Sequence, residues 1–143
     1  MNVVDANVLL YAVNTSADRH TEARNWLDGE LNAGATVGFT WLALLAFLRL
    51  STKPGLFPSP LPVDGALQRV QDWLAQPTSV VLEPTVQHAQ VLRSLLLQVG
   101  TGGNLTSDAH LAALAVEHRG TVVTYDNDFG RFAGVKWMTP PRA

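Results

Sequence analysis

Thr121-Val122-Val123-Thr124-Tyr125-Asp126-Asn127-Asp128 is a β-branched run that stops at two aspartates flanking an asparagine. Such a run reads as a short strand, and it ends on acids instead of on a plain turn. Met1-Asn2-Val3-Val4-Asp5 repeats the arrangement at the other end of the chain. Between them, Ala35 to Phe39 and Ser79 to Leu82 have strand character, and a final strand falls at Val135 to Met138.

Helical segments separate these strands. Asp5 to Leu10 passes from a strand into a short helix, and Arg19 to Leu31 carries Ala23, Trp26, Leu27 and Leu31 at helical spacing. Further helices are predicted from Asp64 to Ala75, with Asp64 as its cap, and from Thr85 to Gln98. A last one is capped by Thr106 or Ser107, opened by Asp108, runs to His118 and is ended by Gly120. Strands alternating with helices imply an α/β fold, a three-layer α/β/α arrangement around a mostly parallel sheet of four to five strands.

Thr40 to Leu50 stands apart, because Trp41, Leu42, Leu44, Leu45, Phe47, Leu48 and Leu50 cover nearly every face of a helix whose only charge is Arg49. Such a helix is buried on all sides, or covers the core on one side and a partner on another. The prolines of Lys53 to Pro62 end it in a loop.

The 143 residues, 47% of them hydrophobic, fit a single domain spanning 1–143 with a sizeable core. Without cysteine there is no thiol nucleophile, zinc ribbon or disulfide framework. The chain lacks a leader pattern, and Trp41 to Leu48 is too short to span a bilayer, so a soluble cytoplasmic protein with no membrane association is expected. A formal charge of −2 gives no polybasic surface for a nucleic-acid backbone, so a phosphate-bearing substrate needs a bound cation to reverse the local sign.

Only 15% of the chain is charged, yet Asp5, Asp108, Asp126 and Asp128 all fall where parallel strands end or a helix begins. In an open α/β sheet the carboxyl ends of the strands and the amino ends of the following helices share one edge, so these acids can converge. Clustered carboxylates repel one another unless a divalent cation neutralises them, and an all-oxygen site suits Mg²⁺ or Mn²⁺. Each acid alone has a plainer reading. Asp5 can cap a helix, Asp108 can answer the helix dipole, and Asp126-Asn127-Asp128 can be an ordinary turn. Asp108 lies in line with Leu111 and Ala115, however, on the stripe that should face the sheet.

His20, His88, His110 and His118 show no ligand spacing and read as surface or core residues, and the four tryptophans read as core or partner-facing. Gly100-Thr101-Gly102-Gly103 lacks the lysine of a phosphate loop. Asp5-Ala6-Asn7 lacks the second acid, two residues on, that aspartyl-phosphate hydrolases use, and Lys136 is poorly placed for binding a phosphate.

Met1 to Leu10, Leu105 to Ala115 and Val122 to Phe132 together resemble the PIN domain, specifically the VapC-type toxins, over nearly the whole chain. The resemblance implies a PIN-like fold, Mg²⁺- or Mn²⁺-dependent endoribonuclease activity and a VapB-type antitoxin as partner, with RNA as substrate and assembly as a homodimer or a toxin–antitoxin hetero-oligomer. Under it Asp5, Asp108 and Asp126 match the metal-binding acids, and Asp128 matches a position that assists through water. Asn7, Thr106 and Ser107 are candidates to hydrogen-bond these carboxylates from behind, and Arg49 is a candidate contact for RNA or antitoxin.

One departure is plain. The family usually carries a glutamate in the helix after the second strand, and here that region reads Leu44-Leu45-Ala46-Phe47-Leu48-Arg49, with no acid anywhere from residue 31 to residue 63. The expectation is therefore an endoribonuclease toxin built on four aspartates. The alternative is a weakened or inactive PIN-like protein that acts by binding RNA or antitoxin.

Overall fold

The computed structural model describes residues 1–142. Five parallel strands, β1 (Asn2–Val4), β2 (Val37–Phe39), β3 (Ser79–Val81), β4 (Thr121–Val123) and β5 (Trp137–Met138), form one sheet in the order β3-β2-β1-β4-β5. The expected mostly parallel sheet is thus parallel throughout.

The pleat of the central strands separates the core into two layers. Val3 and Val122 join Ala109, Leu111, Ala112 and Phe129 on one side. Val4 and Val123 join Val8, Leu9, Leu27, Phe39 and Phe47 on the other. The first side is covered by α5 (His88–Val99) and α6 (Thr106–Glu117), the second by α1 (Ala6–Val13), α2 (His20–Asn32), α3 (Trp41–Thr52) and α4 (Val63–Leu74). Each large apolar side chain so buried stabilises the fold by roughly 1.5–3 kcal/mol before conformational entropy is counted.

Three caps differ from their sequence reading. Pro62 occupies the N-cap of α4, and Asp64 lies within its first turn. A 3₁₀ turn at Gly103–Leu105 feeds α6 directly, so neither Thr106 nor Ser107 caps it. At its other end Arg119, not Gly120, takes the left-handed conformation (φ 58°), and the Gly120 amide donates to the Ala115 carbonyl at 2.7 Å in a Schellman-type closure. Gly120 is required for space instead, because a Cβ there would meet Val3 Cγ2 at 2.8 Å.

Helix α3 is not buried on all sides: one face packs on the core and another is open to solvent. Its Ala43, Leu44 and Phe47 are buried while Trp41 and Leu45 stay exposed, and Thr40 caps it by accepting from the Ala43 amide at 3.2 Å. α5 begins at His88, three residues after its predicted start, because Thr85 turns back to receive the Gln87 amide. Among the described residues no helix is long and apolar enough to cross a membrane.

Candidate active site

Asp5 follows the last residue of β1 and caps α1, accepting from the Ala6 amide at 2.7 Å. Its backbone amide donates to the Val123 carbonyl at 3.0 Å, which carries the parallel ladder up to the edge where β4 also ends. There Thr124, fully buried, donates from Oγ1 to Asp5 Oδ2 at 2.7 Å. The same hydroxyl accepts from the Asp126 amide at 2.9 Å and from Asn7 Nδ2 at 3.2 Å. Asn7 Oδ1 receives the Tyr125 amide at 3.1 Å, so one asparagine ties the start of α1 to the loop after β4.

Asp126 caps the 3₁₀ turn Asn127–Arg131 by accepting from the Asp128 amide at 2.9 Å. This is the ordinary turn chemistry that the tripeptide suggests, and it also aims both carboxylates across the edge toward α6. Asp108, in the first turn of α6, faces them, and carboxylate oxygens of Asp108, Asp126 and Asp128 can lie within 4.8 Å of one another. Asp5 stands outside that trio but within its field. Burial raises its carboxyl, hydrogen bonds from Thr124 and Ala6 lower it, and the charge of Asp126 raises it again, with a net shift upward.

Asp108 shows what crowding costs. Burial, then the negative charges of Asp126, Asp5 and Asp128, push its carboxyl up to about 7. A carboxyl held half-protonated near neutrality is a position at which a cation can take the place of the proton. The donors are all carboxylate oxygens converging from strand ends and a helix start, which fits a hard divalent cation such as Mg²⁺ or Mn²⁺.

A cleft of about 330 Å³ opens beside the acids, with Leu42, Leu45, Ala46 and Arg49 of α3 facing Asp5, Ser107 and Asp108 across it. Arg49 is exposed, and among the described residues no carboxylate lies within salt-bridge distance of it. The α3 side of the cleft thus carries apolar side chains and Arg49 but no acid.

The predicted residues are therefore gathered at one edge, with two qualifications. Asn7 bonds Asp5 only at 3.5 Å and works mainly through Thr124 and Tyr125. Neither Thr106 nor Ser107 hydrogen-bonds a carboxylate among the described residues; Ser107 only lines the cleft, and the Thr106 hydroxyl lies over Gly102. The residue that sequence reasoning passed over is Thr124. Its signal was present, since a hydroxyl at the end of a buried strand, two residues before an acid, needs a partner. His88 and His110 are also brought together, with Glu117 behind them, although their sequence spacing predicts no contact.

A parallel three-layer fold with four aspartates at the carboxyl edge of its central strands defines a class, and the PIN domain model matches residues 3–135. The chain belongs to the PIN-domain family, as a VapC-type toxin. It is 60% identical to Ribonuclease VapC37 of Mycobacterium tuberculosis, covering 99% of this chain and 98% of that one, and 37% identical to Ribonuclease VapC33 of the same organism, covering 99% of each. Among solved structures, VapBC2 of Rickettsia felis bound to a DNA fragment of its promoter superposes with a TM-score of 0.69 at 17% identity, covering 96% of this chain and 97% of that one. VapC20 of Mycobacterium tuberculosis, a toxin that cleaves the sarcin–ricin loop, gives 0.68 at 16% identity, covering 95% and 99%. At such identities these structures support the fold alone.

Proposed function

We propose that this protein is the toxin of a VapBC-type toxin–antitoxin pair and cleaves RNA phosphodiester bonds as a Mg²⁺- or Mn²⁺-dependent endoribonuclease. The observation that carries the reading is the convergence of Asp108, Asp126 and Asp128, backed by Asp5, beside a cleft whose lining includes Arg49. Asp108 and Asp126 would hold the cation together with Asp5, and Asp128, the most exposed of the four, would bind it or position the attacking water. The bound ion supplies a lowered pKa for water and charge neutralisation in the in-line transition state.

The chain's own groups do the rest. Thr124 and Asn7 fix the direction of the Asp5 carboxylate, so its lone pairs are oriented before substrate arrives. Arg49 offers a cation to a neighbouring phosphate along the cleft. The exposed Trp41 and Leu45 of α3 offer apolar surface suited to the VapB-type antitoxin or to a second toxin subunit. Membership of the VapC-type toxins is what motivates an antitoxin as partner, and the neighbours of the same fold that were solved as VapBC complexes set the precedent.

The test is cleavage of a labelled RNA by the purified chain with Mg²⁺, with Mn²⁺ and with chelator. Metal-dependent cleavage that Asp126→Asn abolishes while the circular dichroism spectrum is kept supports the reading. Cleavage unchanged by that substitution overturns the site assignment. Antitoxin binding without turnover would favour the binding-only alternative, which the glutamate-free α3 wall motivates.

A further inference from the structure

A second polar cluster lies under α5, away from the acidic cleft. His88, the first residue of α5, and His110 on α6 point ring nitrogens at each other, with His88 Nε2 2.9 Å from His110 Nδ1 and the rings crossed at 77°. Behind His88, Nδ1 donates to Glu117 Oε2 at 2.5 Å. Glu117 Oε1 in turn accepts from the Thr85 amide at 2.8 Å and the Thr85 hydroxyl at 2.7 Å. The side chain of Glu117 is 1% exposed and that of His88 15%.

This wiring sets the tautomer. With Nδ1–H of His88 committed to the carboxylate, the Nε2 lone pair faces His110, and the proton on His110 Nδ1 fills the gap between the rings. Burial raises the Glu117 carboxyl, but the hydrogen bonds from Thr85 and His88 outweigh it and hold the group below the usual range, so the anion behind His88 persists at neutral pH. A carboxylate backing one imidazole, whose free nitrogen converges with a second imidazole from another helix, is the outer and inner layering of a histidine metal site.

We propose that His88 Nε2 and His110 Nδ1 form a second metal site, for Zn²⁺ or another imidazole-preferring transition cation, with water completing the coordination and Glu117 positioning His88. Zn–N distances of roughly 2.0–2.1 Å require the two nitrogens to stand about 3.3 Å apart in tetrahedral geometry. That is a few tenths of an ångström wider than the hydrogen bond, and each ring must also tilt by about 35° so that its lone pair points at the ion and not at the other nitrogen. The cation replaces the shared proton, which moves through solvent from Nδ1 of His110 to its Nε2, leaving both rings neutral.

The site is chemically and spatially separate from the cleft. His110 follows Asp108 by two residues, about 200° around α6, so the two side chains leave the helix on nearly opposite faces. Nitrogen donors select Zn²⁺ where the carboxylates select Mg²⁺. A cation bridging His88 and His110 would tie the first turn of α5 to the helix that carries Asp108.

The experiment is a calorimetric titration with Zn²⁺ of the full chain carrying Asp108→Asn and Asp126→Asn, which disables the acidic cleft. A single binding event is expected, with affinity reduced at least tenfold by His88→Gln or His110→Gln and about 10–100-fold by Glu117→Gln. Co²⁺ in place of Zn²⁺ gives visible absorption bands whose loss in the histidine variants reports ligation independently of stability. Absence of Zn²⁺ binding in the acid-disabled chain, or binding that survives both histidine substitutions, overturns the proposal. Loss of RNA cleavage in the Asp variants bears only on the acidic cleft, so the two readings stand or fall separately.

Discussion

Thr124 Oγ1 donates to Asp5 Oδ2 at 2.7 Å, joining the ends of β4 and β1 through a hydroxyl that has no exposure to solvent. The hydroxyl also receives the Asp126 amide, so it stands between two of the four acids and sets the direction of one of them.

Thr124→Val keeps the shape and removes the hydroxyl. It should lower metal-dependent cleavage about 10–100-fold, the usual penalty for losing an outer partner of a ligand, and cost roughly 1–3 kcal/mol of stability for the unpaired groups. Thr124→Ser should restore most of both. Cleavage rates and Mg²⁺ titrations of the two variants check this, and equal activity in wild type and Thr124→Val would remove the hydroxyl from the site's machinery.

The protonation of Asp108 gives a pH signature. Its carboxyl, near 3.8 in the unfolded chain, is raised to about 7 in the fold, so its contribution to stability is fully present below the unfolded value and is lost as pH rises through about 7. The metal-free protein should therefore lose thermal stability as pH rises from about 4 to about 7 and change little from this group above that. Saturating Mg²⁺ should remove the loss, because the ion binds the deprotonated form, and Mg²⁺ affinity should rise with pH over the same window. Asp108→Asn should flatten the metal-free profile. Melting curves across pH with and without Mg²⁺ decide it.

Ala46 stands on the α3 wall between Leu42 and Arg49, one turn from each, with its side chain toward the acids. Ala46→Glu should supply the absent charged ligand at little helical cost and tighten Mg²⁺ binding on the order of tenfold. Calorimetry on both proteins is the measurement, and unchanged affinity would show that the four aspartates already saturate the ion.

Gly120 predicts a purely structural effect. Gly120→Ala places a Cβ 2.8 Å from Val3 Cγ2 at the start of β4, and should destabilise the chain by about 1–3 kcal/mol through overpacking. Denaturant unfolding with an unchanged m-value checks it.

The mostly parallel sheet was legible because short β-branched strands alternate with helices that serve as crossovers, whereas the strand order that puts β1 and β4 at the centre came only from the structure. Helix ends were less so. Pro62 and Leu105 hold the N-cap positions of α4 and α6 although better capping residues stand close by, since neighbouring turns already set the backbone direction there. The face of α3 that stays exposed was also hidden, because a helix apolar all round has no period to read.

From sequence alone came the four aspartates, their place at one sheet edge, the missing glutamate and the family resemblance. These rest on local chemistry: a strand that stops at an acid, and a topology that sends every such acid to the same side. Which hydroxyl steadies Asp5, which three carboxylates approach within 4.8 Å, and that His88 meets His110 were settled only by tertiary packing. Those contacts join residues far apart in the chain, and their distances follow from how strand ends and helix faces pack, which no local pattern of residues encodes.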